Sequence, residues 1–234
     1  MNLNPIKKRK LVLFDIDGTL VLYRGREAYG IFEDMSRELF GRELSLSDYR
    51  FSGKTDKAIS YEVLALAGVP EAEIAPREPE IYEWVTKELA VRTKPESFDL
   101  LPNVRTILDA IDTSATKALL TGNIERCAAI KLSHFDLLHH FEFGVYGTES
   151  RDRNDLGPIA LKKYQEHAGE QIAPEDVVII GDTVNDVLVA KHMGAKCIVT
   201  LTGRSTYDEV APHKPEYIFN DLSDTATVLD AIYA

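Results

Sequence analysis

Short apolar runs recur along the chain, and each is bounded by turn residues. They read LVLF (11–14), KALL (117–120), VVII (177–180), CIVT (197–200) and EYIF (216–219). Runs that are apolar on both faces are typical of strands in a parallel sheet that is covered on both sides. Helical patterns with apolar positions about 3.6 residues apart alternate with them, at 104–111, 123–132, 158–167, 184–193 and 221–232. The alternating order predicts an α/β core with an open, doubly wound, Rossmann-like parallel sheet.

The segment from residue 22 to residue 98 breaks this order, because helical patterns follow one another there with no strand between them. These patterns cover 28–41, 55–68 and 81–89. Thr55 is a suitable N-cap for the second helix. The stretch PEAEIAPREPE (70–80) is interpreted as a polar connection between helices. We therefore predict a small all-helical domain, residues 22–98, inserted after the first strand of a core domain that comprises residues 1–21 and 99–234.

Composition and charge narrow the class of protein. The chain has 234 residues, of which 44% are hydrophobic, and its 38 acidic and 27 basic residues give a net charge of -11. Because nucleic-acid binding depends on neutralising phosphate charge, this balance argues against a nucleic-acid partner. No apolar run approaches the roughly 20 residues of a membrane span, and the N-terminus has no apolar stretch typical of a secretory signal. We expect a soluble cytoplasmic protein, a monomer or a homodimer, with no membrane partner.

Polar side chains follow three of the apolar runs at the point where each strand should end. The residues in question are Asp15 and Asp17 in DIDGT, Thr121, Gly122 and Asn123 in TGN, and Asp182 and Asp186 in GDTVND. Ligands of open parallel sheets bind beyond the carboxyl ends of the strands, so we expect these residues to converge. Four clustered carboxylates repel one another at neutral pH, and Mg²⁺, which prefers oxygen ligands, is the simplest remedy.

The middle group adds features that suit an anion. Thr121 offers a hydroxyl, while Gly122 and Asn123 open a helix whose free N–H groups and positive dipole end attract negative charge. A cation beside an anion pocket indicates a phosphoryl group as the ligand.

Taken in order, these motifs resemble those of the haloacid dehalogenase superfamily, in particular its Mg²⁺-dependent phosphatases with a helical cap after the first strand. The resemblance spans almost the whole chain. It implies that Asp15 is the nucleophile that takes the phosphoryl group, and that Asp17 is the acid for the leaving oxygen and then the base for water. It implies that Thr121 holds the phosphoryl oxygens. It also implies that Mg²⁺ is held by Asp15, the backbone carbonyl of Asp17 and Asp182, with Asp186 binding it directly or orienting its waters.

One motif departs from the family pattern. The family usually places a Lys, often as Lys-Pro, in a loop before the helix that precedes the GD strand. The matching loop here reads SRDRNDLGPIAL, which puts Arg153 at that position. Arg153 supplies the same charge through a planar fork, so the geometry differs from that of a Lys. Lys162 and Lys163 are the alternatives, although their place in the following helix should turn them away from the strand ends.

The inserted segment offers candidate substrate-binding residues in YRFSGKTDKAIS (49–60), namely Arg50, Gly53 and Lys54. In related phosphatases this connection closes over the substrate, so basic residues there could meet an anionic leaving group. An ordinary solvated loop with a Thr cap explains the same residues equally well.

The sequence as a whole predicts a Mg²⁺-dependent phosphomonoesterase that acts on a small phosphorylated metabolite through an aspartyl-phosphate. Phosphoglycolate-like acids, sugar phosphates and nucleotides all remain open as substrates. One alternative is a phosphotransferase of the β-phosphoglucomutase type, in which the closed cap excludes water. Another is a catalytically idle binding or regulatory protein on the same fold.

Overall fold

A parallel six-stranded sheet forms the centre of the protein in the computed structural model, which describes residues 9–234. The strands of the chain are β1 (Lys10–Phe14), β2 (Val21–Tyr23), β3 (Phe98–Leu100), β4 (Ala115–Leu120), β5 (Phe143–Val145), β6 (Val177–Gly181), β7 (Lys196–Thr200) and β8 (Tyr217–Phe219). The order across the large sheet is β5-β4-β1-β6-β7-β8, and all of its neighbouring strands are parallel. Each of the five apolar runs forms one of these strands, and the predicted fold class is confirmed.

Helices cover both faces of this sheet. The helices are α1 (Glu27–Phe40), α2 (Asp56–Leu66), α3 (Glu71–Ile74), α4 (Glu78–Arg92), α5 (Val104–Ala110), α6 (Glu125–Ser133), α7 (Leu156–Ala168), α8 (Val184–Met193), α9 (Tyr207–Val210) and α10 (Thr225–Tyr233). One hydrophobic cluster joins one sheet face to α5, α6 and α10, and a second joins the other face to α7 and α8.

The central strand β1 illustrates why the apolar runs are continuous. Val12 and Phe14 belong to the cluster on one face, whereas Leu11 and Leu13 belong to the cluster on the other. Successive side chains of a strand point to opposite faces, so a strand covered on both sides needs an apolar residue at every position.

The inserted helices α1, α2 and α4 pack around a third hydrophobic cluster, which also includes Ile124 and Cys127 at the start of α6. Thr55 is the N-cap of α2, as predicted, and its hydroxyl accepts a hydrogen bond from the Ala58 N–H at 3.1 Å. The stretch 70–80, predicted to be a polar connection, is instead largely helical and contains α3, a 3₁₀ turn and the start of α4. Pro residues fit the first turn of a helix, and the buried side chain of Ile74 ties this stretch to the cluster.

Two short strands at the base of the insertion were missed by the sequence patterns. β2 and β3 pair antiparallel, with Val21 opposite Leu100 and Tyr23 opposite Phe98. This ladder contains both boundaries of the division into core and cap, which stays a prediction, and residues 1–8 of the predicted core lie outside the described residues. Across residues 9–234, no helix combines the length and the hydrophobicity needed to cross a membrane.

Candidate active site

Three carboxylates meet where β1 and β6 end. Asp15 follows β1, Asp182 follows β6, and Asp186 lies in the first turn of α8. Each contributes an oxygen atom that lies within 4.8 Å of the others, and all three side chains are buried. The Asp15 N–H donates to the Ile180 carbonyl at 3.0 Å, so the strand pairing of β1 with β6 continues to the site itself.

Local hydrogen bonds fix the orientation of Asp186. The N–H and the hydroxyl of Thr183 donate to its Oδ2 at 2.9 and 2.7 Å, which makes Asp186 part of the capping box of α8. Its other oxygen accepts from Arg153, with Nη2 to Oδ1 at 2.6 Å. Both oxygens of Asp186 are therefore engaged by the protein, and the cap of α8 holds the carboxylate at the sheet edge.

Arg153 lies between two of the three carboxylates. Its Nη2 is also 3.0 Å from Asp15 Oδ2, and its side chain is buried too. Burial lowers the pKa of Arg153, but the attraction of Asp186 and Asp15 outweighs it and raises that pKa above its usual value. The structure thus places Arg153, rather than a lysine, against Asp15. Lys162 pairs with Glu166 at 3.8 Å and Lys163 with Glu149 at 2.8 Å, away from the carboxylates.

One guanidinium does not balance three buried carboxylates. The pKa of Asp15 is raised to about 6, because burial, together with repulsion by Asp186 and Asp17, outweighs the opposing attraction of Arg153. Burial also raises the pKa of Asp182 well above its ordinary value, with repulsion from Asp186 and Asp15 as the next causes. Among the described residues, buried Asp182 Oδ1 has no hydrogen-bond partner. Hard divalent cations bind carboxylate oxygens, and this cluster offers an unpaired one together with excess negative charge. These residues therefore fit Mg²⁺.

Two glycines leave room around Asp182. Gly18 has φ of +86°, and a Cβ there would lie 2.6 Å from Asp182 Cγ. A Cβ on Gly203 would lie 2.9 Å from Asp182 Cβ. Two backbone loops can approach this carboxylate so closely only because both residues lack a side chain.

Asp17 points away from the three clustered carboxylates and binds a lysine. Lys131 Nζ lies 2.7 Å from both carboxylate oxygens, and Asn123 Nδ2 donates to Oδ2 at 2.8 Å. Lys131 also donates to Asn123 Oδ1 at 2.6 Å. Burial lowers the pKa of Lys131, but the attraction of Asp17 and its hydrogen bonds outweighs burial and raises that pKa above its ordinary value. Lys131 and Asn123 thereby hold the carboxylate of Asp17 in place.

The TGN segment is more enclosed than the sequence suggested. The Thr121 hydroxyl is fully buried and accepts a hydrogen bond from Asn123 Nδ2 at 2.7 Å. The helix begins at Glu125 rather than at Asn123, and the Ile124 N–H donates to Asp56 Oδ2 at 2.7 Å. The expectation of free N–H groups at this helix end is therefore wrong for Ile124, because a carboxylate from the inserted segment binds its N–H group.

The insertion contacts the core through the start of α2. The Asp56 N–H donates to the Gly122 carbonyl at 2.7 Å, and Asn185 Nδ2 donates to the Gly53 carbonyl at 2.6 Å. Lys54 forms an ion pair with Glu62. Burial raises the pKa of Asp56 to about 6, while the Ile124 N–H and Lys131 lower it and Asp17 raises it. These contacts hold the helical insertion over the carboxylates.

A cavity of about 200 Å³ lies between the core and the insertion. Its wall includes Asp15, Asp17 and Asp182, and also Gly122, Asn123, Gly53, Lys54, Lys131 and Arg153. Of the predicted substrate-binding residues, Arg50 does not line it: its side chain is exposed, and Glu209 of the core lies near enough to feel its charge. The chemical groups for binding a phosphate ester and a cation therefore open onto one cavity.

Comparison with known proteins places this geometry in a family. The family model for haloacid dehalogenase-like hydrolases matches residues 9–194. The chain belongs to this family. A curated phosphoglycolate phosphatase of Vibrio cholerae is 24% identical over 232 residues, covering 97% of this chain and 98% of the relative. A phosphoglycolate phosphatase of Aquifex aeolicus is 26% identical over 94% of this chain and 97% of its own length.

The fold is shared with solved structures as well. The crystal structure of a predicted phosphoglycolate phosphatase from Haemophilus somnus superposes with a TM-score of 0.69 at 19% identity, covering 96% of this chain and 100% of that one. The predicted membership of the haloacid dehalogenase superfamily is confirmed, and this hydrolase has the architecture expected of it.

The sequence patterns missed two charged residues in the site of this hydrolase. Lys131 shares the buried face of α6 with Cys127 and Ala128. A lysine among the apolar residues on one face of a helix was therefore the signal that could have indicated it. Asp56 gave no comparable signal, because an acidic residue in the first turn of a helix is ordinary, and its bond to the Ile124 N–H before α6 depends on tertiary packing.

Proposed function

We propose that this haloacid dehalogenase-like hydrolase is a Mg²⁺-dependent phosphatase that hydrolyses a phosphate monoester through an aspartyl-phosphate on Asp15. The observation that carries the proposal is the excess of buried carboxylates at the sheet edge, where Asp182 Oδ1 has no partner among the residues that the structure describes. The curated relatives named phosphoglycolate phosphatases support the same reaction class. The cytoplasmic location and the oligomeric state stay predictions.

Asp15 and Asp182 would hold the metal, and Asp186, whose oxygens already accept from Arg153 and Thr183, would bind it directly or orient its waters. The metal would neutralise charge on the phosphoryl oxygens as the ester bond breaks. A nearby cation also favours the ionised form of Asp15, whose pKa of about 6 in the absence of metal reflects burial first and then its acidic neighbours. Ligation by the carbonyl of Asp17 stays a prediction from the family resemblance.

The residues of this chain divide the remaining work. An Asp15 oxygen forms the new bond to phosphorus while the bond from phosphorus to the ester oxygen breaks, and Arg153 holds the other Asp15 oxygen in place. Asp17 gives a proton to the departing oxygen and later takes one from the attacking water. Lys131 and Asn123 keep the Asp17 carboxylate on the cavity wall for both steps. Thr121, through Asn123, maintains the shape of the same wall.

Phosphate release from p-nitrophenyl phosphate tests the proposal. We expect turnover with Mg²⁺ and none with EDTA, and we expect Asp15→Asn and Asp182→Asn to lower kcat by about a thousandfold or more. Asp136→Asn is a matched control, because the Asp136 side chain is 92% exposed and makes the same change of charge far from the site.

Four results would contradict the proposal. Full activity in EDTA would remove the role of the metal, and full activity in Asp15→Asn would remove the nucleophile. Conversion of one sugar phosphate isomer into another with little free phosphate would indicate a phosphotransferase, and no turnover of any ester would indicate a binding protein.

A further inference from the structure

The cavity extends from the carboxylates into the hydrophobic interior of the insertion. The far wall consists of apolar and aromatic side chains from α1, α2, α4 and the segments beside them, namely Ala28, Tyr29, Ile31, Phe32, Phe51, Ile59, Val85 and Leu89. Ile31, Phe32, Ile59, Val85 and Leu89 belong to the buried cluster of the insertion. The space next to the reacting atoms is therefore continuous with an apolar compartment.

The charged groups on the wall are mostly occupied by partners within the protein. Lys54 pairs with Glu62, Lys131 with Asp17, and Arg153 with Asp15 and Asp186. Arg204 also lines the cavity, and its side chain is exposed rather than enclosed. Among residues 9–234, a second anionic group on the substrate would thus find no buried cation in the compartment that lacks a partner, which is unfavourable.

The polar atoms of the two wall tyrosines are occupied as well. The Tyr23 hydroxyl donates to Glu27 at 2.5 Å, and the Tyr29 hydroxyl donates to the Tyr49 carbonyl at 3.3 Å. These rings consequently offer apolar surface to the cavity. A sugar with several hydroxyl groups would lose hydrogen bonds to water there and find few replacements.

The volume of the cavity limits the size of the alcohol that the substrate carries on its phosphoryl group. Dry apolar cavities of about 150 Å³ in proteins bind benzene, and this cavity has about 200 Å³ for the phosphoryl group and its substituent together. We propose that the substrate is a monoester of phosphate with an uncharged, apolar alcohol the size of a phenyl or hexyl group. This inference rests on the proposed phosphatase function and names its substrate class.

A series of n-alkyl phosphates tests the substrate class, because ethyl, butyl and hexyl phosphate share the same ester bond and differ only in apolar length. We expect kcat/KM to rise about fourfold per added methylene, which corresponds to about 0.8 kcal/mol per buried CH₂. With incomplete burial allowed for, hexyl phosphate should exceed ethyl phosphate by about 50-fold or more. Phosphoglycolate, which carries a carboxylate, should be hydrolysed less efficiently than butyl phosphate.

A pair of variants on α4 tests whether the preference for longer alkyl chains arises in the cavity. Val85 lines the cavity and is 5% exposed, whereas Val91 on the same helix is 71% exposed. Val85→Phe should lower the ratio of hexyl to ethyl phosphate kcat/KM by about tenfold, because the ring occupies the space that the longer chain needs. Val91→Phe makes the identical change on the surface and should leave the ratio as it is.

The outcomes separate this inference from the proposed function. A flat alkyl series in the wild-type protein, within threefold from ethyl to hexyl, overturns the apolar substrate class, and so does a preference for phosphoglycolate. Either result leaves the phosphatase activity standing, because phosphate is still released. Failure to release phosphate from any ester, p-nitrophenyl phosphate included, overturns the proposed function itself. The wild-type series decides the question even if Val85→Phe does not fold.

Discussion

Replacement of Arg153 by Met tests how far its guanidinium offsets the charge of the buried Asp15 and Asp186 carboxylates. The Met side chain is of similar length to the Arg side chain but is uncharged. The change therefore removes the guanidinium that lies 2.6 Å from Asp186 Oδ1 and 3.0 Å from Asp15 Oδ2. Removing one partner of a buried ion pair costs about 3–5 kcal/mol, and the burial of all three side chains leaves little solvent screening. In EDTA at pH 8 we expect the free energy of unfolding of Arg153→Met to fall by about 3 kcal/mol.

The pH dependence of this loss has a definite sign. Burial raises the pKa of Asp15 to about 6, and removal of Arg153 takes away the group that opposes the rise. A carboxylate with a raised folded-state pKa destabilises the fold when it is ionised, above that pKa, and the penalty fades as pH falls toward the unfolded value of 3.8. The cost of Arg153→Met should therefore be smaller at pH 5 than at pH 8, and smaller in Mg²⁺ than in EDTA.

Urea unfolding at both pH values, with EDTA or Mg²⁺, measures these differences. Arg151→Met is the matched control on the same loop, because Arg151 is half exposed and its pair with Glu71 should contribute about 1 kcal/mol or less. Equal stability of Arg153→Met and the wild type at pH 8 in EDTA would refute the claim that Arg153 offsets the charge of Asp15 and Asp186. A loss that is larger at pH 5 than at pH 8 would refute the assigned pKa direction of Asp15.

Two further predictions concern charged residues around the cavity. Lys131→Met should lower kcat about 10- to 100-fold and change the pH profile of kcat, because Asp17 loses the group that holds both of its oxygens. Steady-state kinetics measures both effects, and a kcat equal to that of the wild type would contradict the prediction. Asp56→Asn should raise the free energy of unfolding by about 1–2 kcal/mol at pH 8 and by little near pH 4, because burial raises the pKa of Asp56 to about 6 and only the ionised form is penalised. The Asn oxygen can still accept the Ile124 N–H bond, so a loss of stability at pH 8 in urea unfolding would contradict this reasoning.

The parts of the fold that are buried on both sides could be predicted from the sequence. A strand such as β1 needs an apolar residue at each position, and this signal survives without knowledge of its partners. Strands β2, β3 and β5 have three residues each and lie in none of the apolar runs, whereas the equally short β8 lies in the run at 216–219. The pairing of these three strands is decided by distant segments.

The candidate site divides in a similar way. Asp15, Asp182 and Asp186 follow apolar strands, and their convergence is a consequence of parallel sheet geometry. Arg153 could be placed beside Asp15 through the family resemblance of the loop that precedes α7. The bonds of Lys131 to Asp17 and of Asp56 to Ile124 join separate segments across the cavity, and no local pattern encodes such contacts.

The most direct test of the central claim is a search for a phosphoryl group on Asp15. Asp17→Asn should slow hydrolysis of the intermediate, because the base for water is lost, and the intermediate should then accumulate. After acid quenching of that variant with Mg²⁺ and p-nitrophenyl phosphate, mass spectrometry should find one phosphoryl group on the peptide that contains Asp15. Phosphate release by the wild type, with no phosphorylation of Asp15 in either protein or with the group on another residue, would contradict the account.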